Sequence, residues 1–425
     1  MRLIRTRGRG AQNTAAVITA LERRGGAALD NVLPAVKRIV ADVRRRGDRA
    51  LLRYASRFDG LTSPDAFRVT SGEMAAAWDA VSPGLRGALT TAAAQIRRFA
   101  QRQLPAPWSN ASVPGLTTGQ IIRPLASVGC YVPSGRHPLP STLLMTAIPA
   151  QVAGVERIVV VSPKPATETL AAAHLLGISE FYRVGGAHAV TALAYGTGTV
   201  ARVDKIVGPG NLYVTAAKRF VAFDCAIDML AGPTEIVVTS ERGRPADVAS
   251  DLVAQAEHDP EALAIFITTR AELARKVLDE TRVRSRNNAV ARESLDRNGL
   301  VILADNTDEA RQITNRIAPE HLTVDSARDL DWVQNAGSVF VGRWSAQPLG
   351  DYISGPNHTL PTGGMARVRG GLSVNDFVKL ITVQEYSASG IRELGPHAVL
   401  LAEAEGLGGH AEAIRTRLSR RQTDA

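Results

Sequence analysis

Apolar residues recur along this chain at two alternating periods. Val32, Val36, Ile39, Val40 and Val43 share one face at helical spacing behind a capping Asp30, which predicts a helix over 30–55. Another helix is predicted over 85–103, while 105–119, with three prolines and two glycines, reads as loop. From 127 onward, short β-branched runs alternate with helical stretches. Strands are predicted over 127–132, 157–162, 180–184, 203–207 and 235–239, with helices over 141–155, 168–176, 187–195 and 214–222 between them. The alternation continues through helices over 246–258, 271–283 and 307–317 and strands over 264–268, 300–303 and 338–341. Residues 350–371 are too rich in glycine, proline and asparagine for a helix and read as a long ordered loop, a kind of segment that often carries function. The tail from 374 is mostly helical.

This alternation predicts an α/β protein with two doubly wound, Rossmann-like parallel sheets and a helical C-terminal tail. The expected division is an N-terminal arm over 1–24, one α/β domain from 25–129 and 235–370, a second over 130–234, and a C-terminal segment over 371–425.

Composition narrows the classes. A chain of 425 residues with 45% hydrophobic residues can bury a large core, and only 5% aromatic residues favour helices on parallel strands over a β-sandwich. Cys130 and Cys225 stand far apart, which argues against a disulfide framework or a thiolate zinc site and fits a reducing cytoplasm. The net charge is +9, but the arginines gather at 44–46 and at the two ends (Arg9, Arg420 and Arg421 among them) with few aromatics between them. A solvated basic surface is therefore expected, with no nucleic-acid partner. No apolar window is long enough to span a membrane, and the first ten residues lack the apolar core of a signal peptide, so no membrane association is expected.

Candidate chemistry gathers in two places. Three turns of small residues stand at predicted strand ends: 131–140, Gly185-Gly186 and Gly208-Pro209-Gly210-Asn211. Such turns line the edge where open α/β sheets bind ligands, and backbone N–H groups at a helix start can hold phosphate. Gly196-Thr197-Gly198-Thr199-Val200-Ala201 matches a dinucleotide fingerprint only as a string. It follows a helix and precedes a strand, so it reads as a turn.

Histidines mark the second place. His137, His174 and His397 read as structural or surface residues. His258, His321, His358 and His410 each stand near a carboxylate or amide in a compact segment, and Gln255 shares a predicted helix face with His258. Zinc accepts such nitrogen and oxygen ligands, although spacing alone leaves the structural reading open. Glu320 and His321 follow Pro319. If a helical turn starts there, its positive end favours an ionised glutamate and a neutral histidine, both ready as bases.

With these residues in hand, the chain resembles the histidinol dehydrogenase family from about residue 30 to about residue 418. The resemblance is carried by Tyr131-Val-Pro, Pro140-Ser-Thr, Gly185-Gly-Ala, the run Asp204 to Asn211, Ala231-Gly-Pro-Thr-Glu235, Gln255-Ala-Glu-His258, the run Ile317 to Leu322, Gly350-Asp-Tyr and Asn357-His358. It implies oxidation of L-histidinol through L-histidinal to L-histidine, in histidine biosynthesis, with NAD and one zinc ion (Zn2+) per subunit. Gln255, His258, Asp351 and His410 would hold zinc, and Glu320 and His321 would be the acid/base pair. Thr234, Gln255, His258, His321, Asp351, His358, Glu405 and His410 would meet substrate. Tyr131, Asn211 and position 188 would meet NAD, which makes 130–234 the cofactor-binding domain. The resemblance further implies a homodimer in which the segment 371–425 crosses over, so that Glu405 and His410 complete the partner's site. Three positions depart from the family pattern: His188 stands for a usual glutamine, Ser134 for a glycine and Thr234 for a serine.

The residue types suit that chemistry. Alcohol oxidation needs a base for the hydroxyl proton while hydride leaves carbon, a task for His321, and Glu320 can activate water for the aldehyde. Three rivals remain: a family relative acting on another small polar or amino alcohol, a zinc hydrolase using the same residues, and a metal-binding protein without catalysis.

Overall fold

A computed structural model describes residues 1–8, 10–25, 29–134 and 138–419. His137, Arg9, Arg420 and Arg421 lie outside the described residues. The chain divides into one unit of Met1–Gln103 and Ala126–Phe377 and a second of Leu104–Leu125 and Val378–Ala425.

Two six-stranded sheets organise the first unit. One runs Arg68–Val69, Glu180–Tyr182, Arg157–Val161, Ser127–Tyr131, Lys205–Val207, Ala226–Ile227, and all its pairings are parallel except that of Arg68–Val69. The other runs Arg2–Arg5, Leu300–Leu303, Leu263–Thr268, Glu235–Thr239, His321–Val324, Ser338–Val341 and is parallel throughout. Both sheets are therefore doubly wound, and both use the same order of strands. In each, the order reverses beside the first strand of the α/β series. The central strands are buried on both faces, as parallel strands covered by helices must be, and every residue of Leu263–Thr268 is buried.

Several segments differ from expectation. The helix predicted over 30–55 is two helices, Leu33–Arg46 and Asp48–Phe58, broken at Gly47 with φ 52°. Asp30 does not cap it; Val32 stands at the N-cap without a side-chain bond. Val36, Val43 and Leu51 share a buried cluster with Val159 and Ile206, so this segment covers the first sheet instead of joining 235–370. The N-terminal arm is not separate either. Arg2–Arg5 is an edge strand of the second sheet, and Ile18 of the helix Ala11–Glu22 is buried in that sheet's core.

The second unit holds the largest departure. Residues 105–119, expected as loop, hold the strand Trp108–Val113 and the start of Leu116–Pro124, which pair antiparallel, and Val378–Tyr386, expected within a helical tail, adds a third strand to them. The helices Ala388–Ala404 and Gly408–Leu418 complete the predicted helical tail. Among the described residues, no helix is long and apolar enough to cross a membrane.

Candidate active site

The site lies where the carboxyl edge of the first sheet meets the amino edge of the second. A cavity of about 210 Å³ there is lined by Gly208, Thr234, Gln255, His258, Glu320, His321, Asp351 and His358, among others. Gly208 ends the strand Lys205–Val207 at the point where the first sheet reverses order. It needs φ 110°, and a Cβ there would lie 2.1 Å from the Tyr131 carbonyl oxygen, so only glycine fits. Thr234 and Glu320 immediately precede two neighbouring strands of the second sheet, which fixes them side by side.

Glu320 and His321 are 6% and 3% exposed and stand 3.6 Å apart, from Oε2 to Nδ1. The turn expected after Pro319 is not helical: His321 opens the strand His321–Val324. The helix-end argument for an ionised glutamate therefore fails. Burial pushes the Glu320 carboxyl up to about 7, although the charge of His321 and the bonds from Thr234 and the Glu235 amide act against that rise. Burial also opposes a charged His321, but the carboxylates of Glu320 and Asp351 outweigh it and raise its proton affinity above the ordinary histidine value.

Hydrogen bonds set the orientation of both groups. Thr234 Oγ1 donates to Glu320 Oε2 at 2.6 Å, and the Glu235 amide donates to the same oxygen at 2.8 Å. His321 Nδ1 lies 3.0 Å from the Glu235 carbonyl, which can only accept. Nδ1 therefore carries the proton, and Nε2 of the neutral ring is free to take one. Nε2 stands 3.6 Å from Asp351 Oδ1.

Gln255 ends a second chain of bonds. Its Nε2 donates to Thr234 Oγ1, which turns Oε1 away from the threonine. Gln255 is 1% exposed, and that oxygen has no hydrogen-bond partner. A buried orphan acceptor is costly unless something else binds it. Asp351 accepts from Gln347 Nε2 at 2.9 Å; burial works against its charge, but His321 and His358 prevail and hold it below the ordinary carboxylate range. His358 bonds the Asp351 carbonyl through Nδ1 at 2.8 Å and faces Thr142 Oγ1 at 3.3 Å through Nε2. Burial lowers its proton affinity, so it stays neutral.

Two placements correct the expectation. The helix Pro245–Ala256 stops before His258, so the two residues do not share a helix face, although both line the cavity. Asp351 sits in a short helix, Gln347–Tyr352, and not in irregular loop. Glu405 and His410 lie in the second unit, at the end of one helix and in the first turn of the next, and both are exposed. Among the described residues, no three His, Cys, Asp or Glu side chains converge to hold a metal.

The residues expected to meet NAD lie around the turns at Gly185-Gly186 and Gly208. Asn211 is exposed and caps the helix Leu212–Val221, its Oδ1 accepting from the Tyr213 and Val214 amides at 3.0 and 3.2 Å. Tyr131 is buried, and its hydroxyl accepts from the Gly186 amide at 3.0 Å. His188 is 1% exposed, with Nε2 2.8 Å from Asp59, and Asp59 also accepts from the Gly185 amide at 3.1 Å. Tyr131 and His188 thus both brace the Gly185-Gly186 turn. Ser134 donates to the Pro163 carbonyl.

One buried pair escaped the sequence reading. Lys218 Nζ donates to Asp228 Oδ1 and the Gly208 carbonyl, each at 2.5 Å, while Asp228 accepts from the Gly208 amide at 2.7 Å. Both side chains are at most 3% exposed. The signal was present: Val214, Lys218 and Val221 follow helical spacing, which puts the lysine on the buried stripe.

Fold and cavity together define a doubly wound α/β protein with a buried carboxyl and imidazole side by side at a sheet edge. Comparison with known proteins makes this specific. The histidinol dehydrogenase family model matches residues 22–418. A histidinol dehydrogenase from Methanothermobacter thermautotrophicus is 45% identical over 415 residues, covering 94% of this chain and 97% of its own. One from Geobacter sulfurreducens is 44% identical, covering 96% and 98%. The crystal structure of histidinol dehydrogenase from Elizabethkingia anophelis superposes with a TM-score of 0.91 at 34% identity, covering 98% of both chains. The chain belongs to the histidinol dehydrogenase family, a family of oxidoreductases.

Proposed function

We propose that the protein oxidises L-histidinol through L-histidinal to L-histidine in two NAD-dependent steps, with one zinc ion per subunit, in a homodimer with shared sites. The observation that carries this reading is one cavity holding both an acid/base pair, Glu320 and His321, and the donors Gln255, His258 and Asp351. A passive metal protein would leave the free Nε2 of His321 beside Asp351 without a task.

In the first step His321 Nε2 takes the hydroxyl proton as the carbinol carbon gives up hydride, leaving the aldehyde and a protonated His321. In the second, Glu320 takes a proton from water as the water adds to the aldehyde, and protonated His321 returns its proton to the former carbonyl oxygen, giving the hydrate and a neutral His321. The hydrate then gives up hydride while His321 takes the hydroxyl proton, leaving the acid. Thr234 holds Glu320 toward this work, and the enclosed cavity keeps the aldehyde from escaping. NAD, when bound, supplies the hydride acceptor. Asn211 and the turns at Gly185-Gly186 and Gly208 suit its phosphates, since each turn opens a helix at the carboxyl edge.

Zinc fits the orphaned Gln255 oxygen, the ionised Asp351 and the imidazole of His258. When bound it would supply a template that orients the substrate's imidazole and amine. Zinc favours four ligands, and His410 of the partner subunit would be the fourth. The second unit suits a dimer: its strand Val378–Tyr386 exposes Leu380, Ile381, Val383 and Tyr386, an apolar surface that a partner would cover. Glu405 of the partner subunit would meet substrate beside it.

Purified enzyme should reduce NAD on addition of L-histidinol and not with other small alcohols. Reduction with another amino or polar alcohol in preference to histidinol would favour the family-relative reading, and no reduction at all would favour the hydrolase. His258→Ala should lose most bound zinc, as removal of one ligand does. Metal analysis finding one zinc per subunit in that variant would count against His258 as a ligand.

A further inference from the structure

Glu235 takes part in no step above, yet its peptide touches both reacting residues. Its amide donates to Glu320 Oε2 at 2.8 Å and its carbonyl accepts from His321 Nδ1 at 3.0 Å. Whatever holds this residue holds the acid/base pair in register. The Glu235 side chain is 4% exposed, and both its oxygens are engaged by one guanidinium. Arg24 Nε donates to Oε1 at 2.7 Å and Nη2 donates to Oε2 at 2.5 Å. The Gly363 amide also donates to Oε1, at 3.0 Å.

Arg24 reaches a second segment as well. Its Nη1 donates to the Ile317 carbonyl at 2.7 Å. Ile317 ends the helix Thr307–Ile317, after which Ala318 takes a left-handed φ of 49° and the chain enters Pro319, Glu320 and His321. One planar group therefore fastens both chain segments from which the reacting side chains emerge. It comes from just beyond the N-terminal helix Ala11–Glu22, outside every strand that builds the site.

We propose that Arg24 is a positioning residue for the reaction: through the Glu235 carboxylate and the Ile317 carbonyl it sets the spacing of Glu320, His321 and the Glu235 peptide. This rests on the reading of Glu320 and His321 as the acid/base pair. A bidentate arginine–carboxylate pair fixes direction as well as distance, and lysine cannot reproduce it. Small displacements of reacting groups cost rate while leaving substrate contacts intact.

The test uses the full-length, zinc-loaded enzyme with Arg24→Ala and Arg24→Lys. In Arg24→Ala, kcat should fall about 30-fold, with KM for L-histidinol changed by less than about twofold. Arg24→Lys should lose less. Millimolar guanidinium ion should restore much of the lost kcat in Arg24→Ala and leave wild type unaffected. A purely structural role would lower the amount of folded enzyme and show no such rescue. A folded Arg24→Ala with kcat within about twofold of wild type, or a loss that guanidinium does not reverse, overturns the proposal. If Arg24→Ala does not fold, Arg24→Lys decides, and an unchanged kcat there overturns it.

A second readout does not depend on the reaction. The His321 Nδ1 proton bonded to Glu235 should give an imidazole N–H resonance that is lost in Arg24→Ala and returns with guanidinium. If wild type does not turn over histidinol, the reading of the reaction fails on its own. The resonance then judges the clamp, and an unmoved signal in the variant overturns it.

Discussion

Glu320→Gln should slow oxidation of L-histidinal by about 10²–10⁴-fold, the usual worth of a positioned general base, and slow oxidation of L-histidinol far less. The amide keeps the shape and can still accept from Thr234 and the Glu235 amide, but it cannot take a proton from water. The carboxyl titrates near about 7 because burial penalises its charged form. Below that pH it is protonated and cannot act as a base, so the aldehyde step in the wild type should rise as pH increases through about 7. Glu320→Gln should lose that rise. His321→Asn should depress both steps, since His321 takes the hydroxyl proton in each. Rates measured separately with the alcohol and the aldehyde decide, and equal losses in both steps for Glu320→Gln would contradict the division of labour.

A mixture of two inactive variants should recover activity. If Gln255, His258 and Asp351 of one chain meet His410 of the partner subunit, His258→Ala and His410→Ala each spoil every site in their own dimers. A mixed dimer holds one site with both histidines intact and one with neither. Random exchange makes about half the dimers mixed, so recovery should approach roughly a quarter of wild-type activity, by two-fold symmetry. Differently tagged chains verify that subunits have exchanged. Tagged heterodimers without activity would reject the shared site.

Much of this molecule is legible from its apolar pattern, for a physical reason. Parallel strands covered on both faces must be apolar throughout, so runs such as Leu263–Thr268 and Arg157–Val161 stand out from the amphipathic helices between them. The strands Trp108–Val113 and Leu116–Pro124 were hidden because they form an open antiparallel hairpin in which polar and apolar residues mix without a clean alternation, turning at Pro114-Gly115. Their third partner, Val378–Tyr386, comes from more than 250 positions later (|i−j| of 272 for Ser387 and Gly115), and no local period reports such a pairing.

The site divides the same way. Residue types and motifs brought Thr234, Gln255, His258, Glu320, His321, Asp351 and His358 to attention, and these seven line one cavity. Their protonation was not legible, because it depends on burial. Pro319 signals a helix start as readily as a strand entry, and only pairing with Glu235–Thr239 makes it the latter. The brace of His188 on Asp59 and the clamp of Arg24 on Glu235 join residues 129 and 211 positions apart, so neither leaves a local trace.

A single enclosed site that carries the alcohol to the acid should not release the aldehyde. The most direct measurement is the amount of NADH formed per L-histidinol consumed, with an aldehyde trap such as semicarbazide present. Two NADH per histidinol, with histidine as product and no trapped aldehyde, is the predicted result. One NADH per histidinol with stoichiometric trapped histidinal would contradict the account.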